Sequence, residues 1–375
     1  MVSLKGNGCP LLVPNVMFTT GSPKLPWHNC ACNGCVQTIN STPNKRDGIS
    51  DLSKSVFLRN LKLTETTLLQ NCLCCSNYRQ QVQPVSLPLI FKHCYHQLLI
   101  MAASTVIEQL QQTVQYINSI YNAKPSIGIV LGSGLGNLTK EITIEAEIPY
   151  EQIPNFPVST VEGHSGKLIF GTSAGKQVAV MSGRFHFYEG YTPQQVAYPI
   201  RVMKMLGVQT LLLSNAAGGV NSNFKVGDLM LITDHISFFT INPLLGKNEE
   251  TLGTRFPDMS EPYSKQLIAK AKAIGNQLGY QLKEGVYTGV TGPTFETRAE
   301  YKLIKAVGGD AVGMSTVQET ITARHAGMDV FAVSVITDLG IRDEDNLITH
   351  EEVLAAATEA EPKLTRLFKE MIAVV

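Results

Sequence analysis

From residue 101 to the end of the chain, apolar positions recur in two alternating rhythms. One is helical: over 103–121, Val106, Leu110, Val114 and Ile117 fall three or four residues apart and share a face. The other is the unbroken apolar run of a buried strand, such as SIGIVL at 126–131. The same reading predicts strands at 167–171, 177–182, 209–214, 228–233, 285–290 and 329–336. It predicts helices at 192–206, 263–279, 296–307, 316–326 and 349–373. Thr316-x-x-Glu319 and Thr349-x-x-Glu352 fit the reciprocal capping box, and Gly327 stands where a helix ends in a left-handed glycine. Strands alternating with helices predict a single α/β domain, with a mixed, mostly parallel central sheet flanked by helices. Its site is expected beyond the carboxyl ends of the strands.

Residues 1–100 break this rhythm, because Pro, Ser, Thr and Asn interrupt each short apolar run. All eight cysteines and the only tryptophan lie there. That segment carries nine basic and three acidic residues, while the chain as a whole has zero net charge. The expectation is a disordered or non-native extension over 1–100 and a catalytic domain over 101–375. Met101 opens the amphipathic MAASTVIEQLQQTVQYI, as the start of a mature enzyme would. His28, Cys30, Cys32 and Cys35, with Cys72, Cys74 and Cys75, supply zinc-type ligands, yet their spacing is no repeated C-x-x-C pair. Few acids among many Ser, Thr and basic residues also resembles an organelle transit peptide. A disulfide framework would want a secretory leader, and no secretory h-region precedes these cysteines.

Elsewhere composition mainly excludes. The chain is 44% hydrophobic and 17% charged, as globular enzymes are. Zero net charge argues against nucleic-acid binding driven by electrostatics. No run approaches the roughly 20 apolar residues that cross a bilayer, so no membrane association and a cytoplasmic location are expected.

Five motifs carry candidate chemistry. Gly132-Ser133-Gly134-Leu135-Gly136 follows the SIGIVL strand. Its glycines can present backbone N–H groups to an anion. Asn137 stands where a dinucleotide fingerprint needs its last glycine, and there is no Walker lysine, so a small free anion or a structural turn remain as readings. Ser182-Gly183-Arg184-Phe185-His186-Phe187-Tyr188-Glu189-Gly190 ends a second strand. Arg184 and His186 alternate and can face one side, and arginine is the bidentate partner of phosphate. Ser214-Asn215-Ala216-Ala217-Gly218-Gly219 lets backbone approach a ligand closely. Thr291-Gly292-Pro293-Thr294-Phe295-Glu296-Thr297 places an aromatic beside a carboxylate, which suits a purine ring and its N–H. Val312-Gly313-Met314-Ser315-Thr316 puts a serine at a positive helix end.

In this order, LGSGLG, GRFHFYEG, NAAGG, TGPTFET, VGMSTVQET and ITD resemble the trimeric, 6-oxopurine-preferring purine nucleoside phosphorylases. The resemblance runs from Met101 to the C-terminus. It implies the nucleoside phosphorylase fold and reversible phosphorolysis of inosine- and guanosine-type nucleosides to free base and ribose 1-phosphate, in purine salvage. It implies phosphate contacts at Ser133, His164, Arg184, His186, Ala216 and Ser315. Nucleoside contacts then fall on Tyr188, Phe256, Phe295, Glu296, Met314, Thr337, Asp338 and His350. His186, Glu189, Glu296 and Asp338 take the catalytic roles, with Glu189 orienting His186. Phe256 would close a neighbouring subunit's sugar pocket in a homotrimer. No metal or organic cofactor is implied; inorganic phosphate is a co-substrate.

One position departs from the pattern. The family carries Asn after the strand-end threonine, facing O6 and N7 of the base, whereas this chain has Thr337-Asp338. An ionised carboxylate cannot donate to N7 and would repel O6; a protonated one, its pKa raised by burial, could donate, and Asp338 could alternatively accept from a 6-amino group. Two rivals remain. A methylthioadenosine phosphorylase would want an apolar group where His350 meets the 5′-hydroxyl. A silent purine- or phosphate-binding protein would not need all the polar positions present here.

Overall fold

The computed structural model describes residues 105–122, 124–160, 165–341 and 348–375. They lie within one compact unit, Leu98–Val375. The readings made of residues 1–100, and His164, fall outside the described residues.

The elements in chain order are α1 (Val106–Ile120), β1 (Ile127–Leu131), β2 (Thr143–Pro149), β3 (Lys167–Ser173), β4 (Lys176–Ser182) and α2 (Pro193–Leu206). There follow β5 (Thr210–Gly219), β6 (Leu229–Ile236), α3 (Lys265–Leu278), β7 (Lys283–Gly289) and α4 (Arg298–Ala306). β8 (Ala311–Gly313), α5 (Val317–His325), β9 (Asp329–Leu339) and α6 (His350–Val374) complete the domain. Every predicted helix and strand is present. Local chemistry sets their ends. Thr105–Glu108, Thr192–Gln195 and Thr349–Glu352 all form reciprocal capping boxes, and Gly207 and Gly279 close α2 and α3 in the left-handed region.

The nine strands form one sheet in the order β2-β3-β4-β1-β5-β8-β7-β6-β9, and β9 returns to pair with β5. β5, β8, β7, β6 and β9 therefore close into a ring, from which β1, β4, β3 and β2 extend as a wing. Five pairings are parallel and four antiparallel, so the sheet is mixed. β1 is buried at all five positions and β9 at nine of eleven, as strands covered on both faces must be. β1, β4, β5 and β9 run parallel, so their carboxyl ends open on the same side.

Pattern reading does not find β2 or β8. β2 pairs only with β3 and exposes four of its seven residues, so it lacks a continuous apolar run. β8 is three residues long, too short to carry a period.

Candidate active site

A cavity of about 340 Å³ opens at the carboxyl ends of these strands. Its wall includes Ser133, Arg184, His186, Tyr188, Ala216 and Phe295, and also Glu296, Met314, Ser315, Thr337, Asp338 and His350. Twelve residues singled out from sequence thus meet around one space.

At one end, close packing fixes the glycine loop against β5. A Cβ on Gly132 would stand 2.8 Å from the Ser214 carbonyl oxygen and 2.9 Å from Asn215 Cα, so only glycine fits. The Gly132 N–H donates to Ser214 Oγ at 3.2 Å. Arg184 is 1% exposed. Its Nε donates to Glu319 Oε1 at 2.9 Å, and its Nη1 donates to the Ser214 carbonyl at 2.6 Å and to Ser315 Oγ at 3.3 Å. Glu319 is itself 3% exposed and supplies the countercharge that a buried guanidinium needs.

This corrects the capping box expected at Thr316. No side-chain cap forms on α5, because Glu319 turns inward to Arg184. Thr316 instead adopts φ 71°, a left-handed backbone that a β-branched residue holds at a cost of about 1–3 kcal/mol. Its hydroxyl accepts from Asn215 Nδ2 at 2.8 Å, which ties the α5 entrance to β5.

His186 is held by Glu189. The Glu189 Oε1 accepts from the His186 backbone N–H at 2.7 Å and lies 3.0 Å from Nδ1. Oε2 accepts from the Thr160 N–H at 2.8 Å and the Thr160 hydroxyl at 2.7 Å. Burial opposes ionisation of Glu189, but these bonds outweigh it and hold the carboxyl at about 2. An ionised Glu189 can only accept, so the His186 Nδ1 facing it carries a hydrogen, and the bond fixes the orientation of the ring. The ring stacks on Tyr188 with centroids 4.6 Å apart and planes inclined by 14°.

The depressed Glu189 carboxyl gives a pH prediction. Its stabilising contribution is complete above the ordinary carboxyl value and is lost as pH falls toward 2. The wild-type melting temperature should therefore fall more steeply between pH 4.5 and 2 than that of Glu189→Gln. Parallel melting curves across that window would contradict the assignment.

At the other end stand Glu296, Asp338 and Tyr301. Burial pushes the Glu296 carboxyl up, and Asp338 and Glu300 add to the rise. Burial and the neighbouring Glu296 and Asp338 also push the Tyr301 phenol up, which keeps it protonated. Asp338 is 8% exposed, and its Oδ1 accepts from the Thr337 hydroxyl at 3.2 Å. Gly218 gives it room: a Cβ there would stand 3.0 Å from Asp338 Oδ2. A β-bulge explains why neighbours Thr337 and Asp338 both reach the cavity. Ala217 pairs with Ile336 but Gly218 pairs with Asp338, so Thr337 is the extra residue and the alternation of faces is broken. Ser214 and Gly218 are four residues apart on β5, roughly 13 Å at strand rise, which sets the distance between the two ends.

Sequence reading did not single out Tyr301 or Val353, which also line the cavity, because both sit at apolar helical positions that read as core. Phe256 lies elsewhere. It is 84% exposed on a surface loop, with the Arg255 guanidinium 5.4 Å from its ring centroid.

Comparison with known proteins extends this picture. A family model described as the phosphorylase superfamily matches residues 126–373. Purine nucleoside phosphorylase 1 of Geobacillus stearothermophilus is 50% identical over 263 residues, covering 70% of this chain and 96% of that protein. The crystal structure of Schistosoma mansoni purine nucleoside phosphorylase with adenosine is 43% identical at a TM-score of 0.69, covering 72% of this chain and 98% of that one. The structure with inosine is 41% identical at the same TM-score and coverage.

Proposed function

The chain belongs to the phosphorylase superfamily, among its purine nucleoside phosphorylases, and on that premise we propose how its cavity divides the work. The enzyme carries out reversible phosphorolysis of purine nucleosides to free base and ribose 1-phosphate. Inorganic phosphate occupies the end formed by Ser133, Arg184, His186, Ala216 and Ser315, with His164 as a further contact. The purine lies against Phe295, with Glu296 on its N1 edge and Asp338 toward its 6-substituent. Tyr188, Met314, Thr337 and His350 hold the sugar and the face beside it. The observation that carries this reading is the convergence of a buried Arg184, an oriented His186 and the Glu296–Asp338–Tyr301 cluster on one cavity.

The chemistry follows from charge. As the glycosidic C–N bond stretches, the ribose becomes oxocarbenium-like and the base accumulates negative charge. A phosphate held by Arg184 and His186 stabilises the cation and attacks C1′ from the opposite face. Holding both reactants together makes the encounter effectively unimolecular. The departing base needs a donor where its charge develops, and such a fixed donor is worth about 3–4 kcal/mol by analogy with oxyanion-hole groups. Tyr301, kept protonated, is a donor at that end, whereas an ionised Asp338 is an acceptor. Phosphate is a co-substrate in this scheme, and no cofactor takes part.

The reading includes a homotrimer in which the exposed Phe256 closes a neighbour's sugar pocket. The defining experiment is release of hypoxanthine from inosine by the purified enzyme. Release should depend on added phosphate and yield ribose 1-phosphate in equal amount. Phosphate-independent release would make the protein a hydrolase, and no release would make it a binding protein.

A further inference from the structure

The glycine loop that carries Ser133 is seated on α6 as well as on β5. Gly134 has φ 73°, and a Cβ on it would stand 3.0 Å from Ala357 Cβ and 3.4 Å from the Leu354 carbonyl oxygen. The loop lies almost in contact with the helix backbone. Asn137, next after the loop, donates from Nδ2 to Glu361 Oε2 at 3.0 Å across 224 residues of sequence. Glu361 is 3% exposed, and its other oxygen accepts from the Thr365 hydroxyl at 2.7 Å. Among the described residues no Lys, Arg or His nitrogen comes within 4.0 Å of it.

A buried carboxylate with two neutral donors and no cation is an expensive way to fill space. An apolar residue of similar size would cost less desolvation. Its position suggests what the carboxylate supplies instead. Val353, Ala357 and Glu361 follow at four-residue steps and form one stripe of α6. His350 and Val353, at the start of this helix, line the cavity. Two turns further on, Ala357 and Glu361 hold the loop that carries Ser133. One continuous helix thus reaches both the nucleoside side and the phosphate side of the site.

We propose that Glu361 is a positioning residue for phosphate: through Asn137 it clamps the Ser133 loop onto α6 and so sets phosphate affinity without touching the substrate. The proposal rests on the phosphate end assigned above. The bond needs an acceptor at 361 and a donor at 137, not a charge. Glu361→Gln keeps the acceptor for Asn137 and can bond Thr365, whose hydroxyl both donates and accepts. Glu361→Leu and Asn137→Ala break the bond.

The test measures phosphate affinity directly by titration calorimetry, together with phosphate KM, inosine KM and melting temperature. Asn137→Ala and Glu361→Leu should each weaken phosphate by about fivefold or more, the scale of one ordinary hydrogen bond. Inosine KM and kcat at saturating phosphate should stay within about twofold, and Glu361→Gln should match wild type. Glu361→Leu should melt at or above the wild-type temperature while binding phosphate worse, a divergence that a merely structural role does not produce. Asn137 is exposed, so its alanine variant keeps the test open if Glu361→Leu fails to fold. Unchanged phosphate affinity in Asn137→Ala overturns the proposal. So does a Glu361→Gln as impaired as Glu361→Leu, or a parallel loss of both substrates. Wild-type enzyme that binds phosphate but does not cleave inosine would instead strike at the reaction assigned above, leaving the clamp to be judged on calorimetry alone.

Discussion

Arg184→Ala should raise the phosphate KM by roughly thirtyfold to several thousandfold, because truncating one member of a buried charge pair costs about 2–5 kcal/mol and 1.4 kcal/mol is tenfold. The expectation follows from where Arg184 sits. Its side chain is buried and spans Glu319, the Ser214 carbonyl and Ser315, so an anion in the cavity meets a guanidinium already aimed by three partners. The same change strands Glu319, 3% exposed, without its cation. Stability should fall by about 3–5 kcal/mol, the cost of a broken buried pair. The two effects separate in the double variant. Arg184→Ala with Glu319→Ala should recover part of the melting temperature and none of the phosphate affinity. Arg184→Lys keeps the charge but loses the planar fork, and should fall between wild type and alanine. A phosphate KM within twofold of wild type in Arg184→Ala would remove this residue from the phosphate site.

Asp338→Asn should shift the ratio of inosine to adenosine kcat/KM toward inosine by about tenfold or more, since a buried polar group facing the wrong partner costs about 1–3 kcal/mol. When ionised, Asp338 accepts and cannot donate, and in that form it matches a 6-amino group and opposes a 6-oxo oxygen. Asparagine can turn its amide to donate to O6 and N7. Tyr301 already supplies a protonated hydroxyl beside Asp338, so inosine turnover does not rest on Asp338 alone. Tyr301→Phe should therefore lower inosine kcat more in the Asp338 background than in Asp338→Asn. An unchanged inosine-to-adenosine ratio in Asp338→Asn would mean that position 338 does not read the 6-substituent.

Most of the domain was readable from its apolar rhythm because its central strands are buried on both faces and its helices carry local caps. β2 escaped because an exposed edge strand has no such run, and β8 because three residues hold no period. Arg184 and Glu296 could be singled out because charge between glycines or beside a Gly-Pro turn asks for a reason, and Asp338 because it departs from the pattern of the family that the chain resembles. Tyr301, at an apolar helical position, asked for none. Glu319 was misread for an instructive reason. Thr-x-x-Glu matches a cap, but the buried guanidinium of Arg184 outbids an exposed N–H for the carboxylate. The pairing of Asn137 with Glu361 joins positions 224 residues apart and leaves no local mark in the sequence.

The bulge at Thr337 has a consequence for how such an enzyme could change its diet. In a regular strand, the codons on either side of a pocket-facing residue specify the opposite face, so altering a wall means altering alternate positions. Here two consecutive codons face the same pocket, one bonded to the Ala217 carbonyl and the other packed against Gly218. A single nucleotide change at codon 338 can exchange an acid for its amide while codon 337, the backbone path and the ring of strands stay as they are. Removing a paired residue from this strand would be far worse than any substitution in it, because the side chains beyond the deletion would swap faces. Selectivity at this position is therefore open to point mutation, while the strand is closed to insertion or loss of a paired residue.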